Sequence, residues 1–327
     1  MLEHGGRLRS AARHYGIAVG EWLDLSTGIN PHGYPVPPVP ADAWLRLPEE
    51  HDGLEDAAAR YYGTDTLLPV AGSQAAIQAL PDLIAGERVG VLAPSYAEHA
   101  HAWRKRSPRS LPAAGIAAAL DALDVVVLVN PNNPTGARFT PTQLLDWHRR
   151  LASRGGWLIV DEAFIDATPA HSLAAHAGSP GLVVLRSLGK FFGLAGARLG
   201  FVLAAPALCR ALAERLGPWT IAGPARHAAR AALADRDWQA SMRARLAADG
   251  ERLATLLRRA GLGEPSGTPL FQWIRTEHAH AVHDALARQG VLVRRFDDPP
   301  SLRFGLPGTE TAWARLADAL AMLTRHG

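Results

Sequence analysis

Lysine is scarce in this sequence of 327 residues, where arginine supplies nearly all of the positive charge. Of its two lysines, Lys105 sits in the basic, polar run WRKRSPRS, whereas Lys190 stands in RSLGKFFGLAGARLGF among Gly, Phe, Leu and Ala. Apolar surroundings disfavour the charged form of an amine, which makes it nucleophilic near neutral pH and suited to Schiff-base chemistry. Asp161 leaves the apolar run WLIVDEAF, and a carboxylate there needs a cationic or hydrogen-bonding partner. VAGSQAAIQAL reads as a Gly-Ser turn opening a helix. Its first N–H groups suit a phosphate, although an ordinary helix cap looks the same. VVVLVNPNNPTG ends in the Asn- and Pro-rich turn from Asn130 to Gly136, the composition of a tight strand-to-helix connection. An amine, a buried carboxylate, N–H donors and an arginine together form the set required by an electron-sink cofactor with a pyridinium nitrogen and a phosphate.

The elements that must position these groups follow from the pattern of the chain. RVGVLAP, LDVVVLVNP, GWLIVDEA, LVVLRSLGK and RLGFVL are apolar, β-rich runs separated by Ala/Leu/Arg-rich helical segments. Near-continuous Val/Ile/Leu runs predict strands buried on both faces of a mostly parallel α/β sheet, whose ligands gather at the carboxyl ends of the strands. Residues 1–40 contain LDLSTGINPHGYPVPPVP, too rich in Pro and Gly for a continuous helix, and read as an N-terminal arm. Residues 41–224 read as the large domain. Residues 225–327, helical and then stranded around PLFQWI, VLVRRF and SLRFGL, read as a smaller α+β domain.

Composition bounds the class. The chain is 48% hydrophobic and 20% charged, with a formal net charge of +3. That is a globular protein whose spread-out arginines give no indication of nucleic-acid or membrane-surface binding. The single cysteine, Cys209, excludes an internal disulfide framework and a multi-cysteine metal site; no metal is expected. The first residues, MLEHGGRLRSAARHYG, have no apolar core of a secretory signal, and no apolar run reaches the roughly 18 residues of a membrane span. The cytoplasm is the expected compartment.

The order GSQ, PSY, NPNNPTG, DEAF, then S-x-x-K followed eight residues later by Arg198, resembles the fold-type I pyridoxal-phosphate enzymes of the class I/II aminotransferase superfamily. The resemblance runs over nearly the whole chain. It implies their α/β fold, a pyridoxal 5'-phosphate cofactor and a homodimer with active sites at its interface. It also implies that Lys190 bonds to the cofactor, Asp161 holds the pyridine nitrogen protonated, and Asn133 donates to the ring hydroxyl. Ser73, Gln74, Ser187 and Arg198 would bind the cofactor phosphate, Tyr96 would stack on the ring, and Arg303 would bind the substrate carboxylate. Two positions depart from the aminotransferase pattern. Phe164 stands where a tyrosine usually donates to the ring hydroxyl, leaving Asn133 as the direct donor. Leu47 stands where histidinol-phosphate aminotransferases tend to place a tyrosine that reaches the neighbouring subunit.

Within the superfamily, EHGGRL, LDLSTGINPHGYP, PSYAEH, DEAFIDA, LRSLGKFFGLAGARLGF and GPWTIAGPA resemble the threonine-phosphate decarboxylases of cobalamin biosynthesis. This implies a phosphorylated amino acid as substrate, with His4, Arg294 and Arg303 as the candidates for its anionic groups. An aminotransferase acting on a substrate such as histidinol phosphate, and a non-catalytic binding protein on the same fold, are the alternatives that the sequence leaves open.

Overall fold

Runs of Val, Ile and Leu too continuous for one-sided burial become sheet strands in the computed structural model of the protein, which describes residues 4–324. In chain order the strands are β1 (Leu23–Leu25), β2 (Leu67–Val70), β3 (Val89–Leu92), β4 (Arg109–Leu111), β5 (Val125–Val129), β6 (Trp157–Asp161), β7 (Leu182–Ser187), β8 (Gly200–Ala204), β9 (Ser266–Thr268), β10 (Phe271–Arg275), β11 (Val291–Asp297) and β12 (Pro300–Gly305). Residues 33–133 and 137–241 make one compact unit; the described parts of 1–32, 134–136 and 242–327 make a second.

The larger unit holds a seven-stranded sheet in the order β2-β8-β7-β6-β5-β3-β4. From β4 to β7 all pairings are parallel, and β8 runs antiparallel to both β7 and β2. Every residue of β5 and β8 is buried, as expected where both faces are covered. Helix Ser73–Leu83 buries Ala76, Ile77, Ala79 and Leu80 in a core with Val91, Val127, Ile159 and Val183. Ile77 is 1% exposed, so truncating it to Ala costs about 2–5 kcal/mol. The end of this helix is fixed by Arg106, which donates to the carbonyls of Pro81 and Ile84, both at 2.8 Å. Helix Gly223–Ala234 also belongs to this unit, where Arg226 donates to Asp52 and Glu55.

The smaller unit holds a five-stranded sheet in the order β1-β11-β12-β10-β9, antiparallel except for the β1–β11 pair. The stretch expected as an arm contributes β1, paired with Val291–Val293. Helix Leu8–Tyr15 sets Leu8, Ala11, Ala12 and Tyr15 against Trp22 and Leu292. Pro and Gly prevent a long element there, yet leave room for a three-residue strand.

Candidate active site

Strand direction places eight of the expected residues at one end of the larger sheet. Strands β3, β5, β6 and β7 are parallel, and β2 shares their direction because both β2 and β7 oppose β8. Ser73 and Gln74 follow β2, Tyr96 follows β3 and Asn133 follows β5. Asp161 ends β6, Ser187 ends β7 with Lys190 three residues on, and Arg198 lies just before β8 begins. All eight side chains therefore come from the carboxyl ends of codirectional strands, or from the start of the one reversed strand, where open α/β sheets bind ligands.

Asp161 is 3% exposed, and both of its oxygens are met. Oδ1 accepts from the Ala163 N–H at 3.0 Å, and Oδ2 lies 2.9 Å from Nε2 of His99, itself 2% exposed. A ring N–H at Nε2 makes that contact a donated hydrogen bond and fixes the imidazole's tautomer. The sequence reading passed over His99, although it stands in PSYAEH, one helical turn after Tyr96; the Tyr96 and His99 rings meet edge-on at 6.0 Å.

Tyr96 donates through its hydroxyl to Gln74 Oε1 at 3.3 Å, and Gln74 Nε2 donates to Glu98 at 2.8 Å. Burial, then the negative charge of Asp161, pushes the Tyr96 hydroxyl up to about 12, so it keeps its proton at neutral pH. Two asparagines of NPNNPTG build the turn. Asn130 both accepts from and donates to the Phe139 backbone, while Asn132 accepts from Ser95 and donates to Pro94 O. Asn133 is half-buried in the middle of that turn. The Lys190 amine lies 5.5 Å from the centre of the Phe164 ring, the position at which aminotransferases of similar pattern carry a tyrosine.

Backbone and side chains approach closely where helix Ser73–Leu83 begins. Gly72 has φ +71°, and a Cβ there would sit 2.9 Å from Arg198 Nη2; a Cβ on Gly200 would sit 2.8 Å from the Ser73 nitrogen. Arg198 itself has φ +52°, a left-handed conformation that costs a non-glycine residue about 1–3 kcal/mol. Its Nη1 donates to Ala195 O at 3.2 Å, and Ser187 Oγ accepts from Gly189 N at 3.2 Å. Helix N–H groups, a serine hydroxyl and a guanidinium thus converge where side chains have been removed, the donor set of a phosphate cradle.

Behind this edge, Arg186 joins the ends of β6 and β7. It donates to Glu162 at 3.3 Å and to Asp166, with its guanidinium 4.5 Å from the centre of the Tyr62 ring. Despite its burial, Asp166 and Glu162 hold Arg186 firmly in its charged form, while burial pushes the Glu162 carboxyl up. The residues flanking Asp161 and Ser187 are therefore locked to one another.

In the smaller unit, Arg294 and Arg303 are direct cross-strand partners on β11 and β12. Arg303 is 6% exposed and donates to Ser26 O at 2.7 Å. Burial, then the Arg294 charge, pushes Arg303 down to about 10, against the pull of Asp24; it remains a cation at neutral pH. Arg294 and His4 line one cavity of about 450 Å³ with Ser26, His280 and His283. Ser26 Oγ accepts from Gly6 N at 2.7 Å and donates to Asp24 at 2.6 Å, which ties down the stretch around His4. A larger hollow of about 650 Å³ beside Cys209 and Trp219 contains none of the candidate residues. Chemistry, not size, locates the site.

With this geometry established, known proteins provide the comparison. Residues 46–320 match the family described as Aminotransferase class I and II. The chain is 59% identical over 322 residues to the threonine-phosphate decarboxylase of Pseudomonas aeruginosa, covering 98% of this chain and 97% of that protein. It is 43% identical over 340 residues to the threonine-phosphate decarboxylase of a Sinorhizobium species, covering 98% of each. Among solved structures, the histidinol-phosphate aminotransferase of Sinorhizobium meliloti in complex with pyridoxal 5'-phosphate superposes with a TM-score of 0.85 at 21% identity, covering 99% of this chain and 96% of that one. That likeness extends to the fold.

Proposed function

The chain belongs to the aminotransferase class I and II family, and from that premise we propose that it decarboxylates L-threonine O-3-phosphate, using pyridoxal 5'-phosphate. The products are (R)-1-amino-2-propanol O-2-phosphate and carbon dioxide, a step of cobalamin biosynthesis. Likeness along nearly the full length of two threonine-phosphate decarboxylases carries the choice of substrate. The family is pyridoxal-phosphate dependent, and the residues present fit that group. Gly72 and Gly200, where a Cβ would clash, let the Arg198 guanidinium and the Ser73 N–H come close to one another at the start of the helix. Asp161, held by His99 and the Ala163 N–H, offers a fixed carboxylate for a pyridine nitrogen.

When bound, pyridoxal phosphate supplies an electron sink for the pair released from the bond that breaks at Cα. Ser73, Gln74, Ser187 and Arg198 would hold its phosphate, Asn133 would donate to its ring hydroxyl, Tyr96 would cover its ring, and Lys190 would be the amine that binds it covalently. Asp161 would keep a proton on the ring nitrogen, and His99 holds Asp161 in place. Arg303 holds the substrate carboxylate, while His4 and Arg294 hold the substrate phosphate. Anchoring both anions would set the Cα–carboxylate bond, rather than Cα–H, across the ring plane, so that orientation would select decarboxylation over transamination. Loss of carbon dioxide leaves Cα one proton short, and Lys190, once freed as its ammonium, would supply that proton and take a replacement from solvent.

The protein works as a homodimer in the cytoplasm. Support for the dimer comes from large apolar side chains left in solvent: Trp44, Leu45, Leu47 and Trp219 are 60–81% exposed. No helix among the described residues is long and apolar enough to cross a membrane.

Steady-state kinetics with and without the substrate phosphate test this reading. Threonine should be poorer than threonine phosphate by about a hundredfold or more in kcat/KM, because the lost contacts are charge-assisted. Equal use of the two would overturn it.

A further inference from the structure

Trp273, Arg303 and Arg294 form one cross-strand row on β10, β12 and β11. Trp273 is the partner of Arg303 in register, and Arg303 is the partner of Arg294. Directly opposed residues share a face of the sheet. On the opposite face, Gln272 donates to the Gly250 carbonyl of helix Arg236–Arg259 at 3.3 Å, and Ile274 is fully buried. Phe271, on the same face as Trp273, lies with its ring centre 5.4 Å from the Arg303 guanidinium.

The indole Nε1 of Trp273 is buried and has no hydrogen-bond partner. A buried indole N–H ordinarily finds an acceptor, because leaving the bond unmade is costly. Here it sits in a row with two cations, one of them almost wholly withdrawn from water. The Arg303 guanidinium and an unpaired N–H, cross-strand partners on one face, make a donor set for an oxyanion. A neutral donor adds direction rather than charge. It fixes the plane of a carboxylate that a guanidinium alone would let pivot.

We propose that Trp273 is a substrate-binding residue whose indole N–H donates to the oxyanion held by Arg303. Resting on the function proposed above, that oxyanion is the α-carboxylate of threonine phosphate, whose orientation decides which bond breaks. A tryptophan kept only for its ring would lose nothing toward ligand on replacement by phenylalanine.

Calorimetry on the holoenzyme, with two ligands that lack the reacting amine, tests the proposal without turnover. One is the hydroxy-acid counterpart of threonine phosphate; the other is isopropyl phosphate, which has no carboxylate. In W273F the Kd for the hydroxy acid should rise about tenfold or more, the usual scale for a hydrogen bond to a charged group. The Kd for isopropyl phosphate should stay within about twofold, as for a side chain remote from the ligand. Unchanged affinity for both overturns the proposal, and an equal loss for both moves the N–H to the phosphate and overturns it as stated. If the unaltered enzyme binds neither ligand, the substrate reading fails instead, a distinct outcome. Should W273F fail to fold, 15N-tryptophan spectra of the unaltered holoenzyme decide. One indole resonance should move with the hydroxy acid and not with isopropyl phosphate; no such resonance overturns the proposal.

Discussion

Replacing His99 with leucine strikes at the support of Asp161 without altering any of the four residues assigned to the cofactor phosphate. The His99 ring nitrogen lies 2.9 Å from Asp161 Oδ2, and the two residues are 2% and 3% exposed, so water cannot readily take its place. The carboxylate would keep only the Ala163 N–H, on its other oxygen. Leaving one buried acceptor unmet costs about 1–3 kcal/mol, and up to about 3–5 kcal/mol if the pair is charged. A value of about 2–3 kcal/mol corresponds to roughly 30- to 150-fold in an equilibrium or a rate. Equilibrium urea unfolding of the cofactor-free protein should show that loss in H99L. Turnover of threonine phosphate should fall by about one to two orders of magnitude, because Asp161 would no longer be held where it protonates the ring nitrogen. Cofactor affinity, for which Arg198, Ser187 and the start of helix Ser73–Leu83 are the proposed phosphate contacts, should change less than about tenfold. H99Q, which can still offer an N–H, should recover part of both losses. Turnover and stability in H99L within about twofold of the unaltered enzyme would refute the claim that His99 positions Asp161.

The K190A variant should lack both the visible absorbance of lysine-bound cofactor and all turnover; borohydride reduction of the unaltered holoenzyme followed by peptide mapping should label Lys190, and labelling of Lys105 would refute the assignment. Light scattering at micromolar concentration should give about twice the chain mass of 34.9 kDa, whereas a fully active monomer would count against a dimer built on Trp44, Leu45, Leu47 and Trp219.

The strands that carry the site were legible because burial on both faces writes itself as unbroken apolar sequence: β3, β5, β6, β7 and β8 are almost entirely Val, Leu, Ile and their small neighbours. Strands β2 and β4 escaped that reading. LLPV contains a proline and runs at the sheet edge, and RSL has two exposed residues out of three. β1 is three residues long, and its partner in register is Val291–Val293, far along the chain, so no local pattern announces it. Lys190 and Asp161 stood out by type and apolar surroundings, and Arg198 through the family resemblance. His99 did not stand out, because one of two histidines in the short Ala-rich helix Ala97–Ala102 looks like a surface residue until folding brings Asp161, 62 residues away, against its ring. Trp273 hid for the same reason: its register with Arg303 exists only across paired strands.

Reaction stoichiometry tests the central claim most directly. Purified holoenzyme given L-threonine O-3-phosphate and no keto acid should release one carbon dioxide for each aminopropanol phosphate formed, with every step supported by the intact Lys190 and Asp161 of one chain type. If threonine phosphate releases no carbon dioxide while histidinol phosphate and 2-oxoglutarate exchange an amino group, the enzyme is an aminotransferase and the decarboxylase account is wrong.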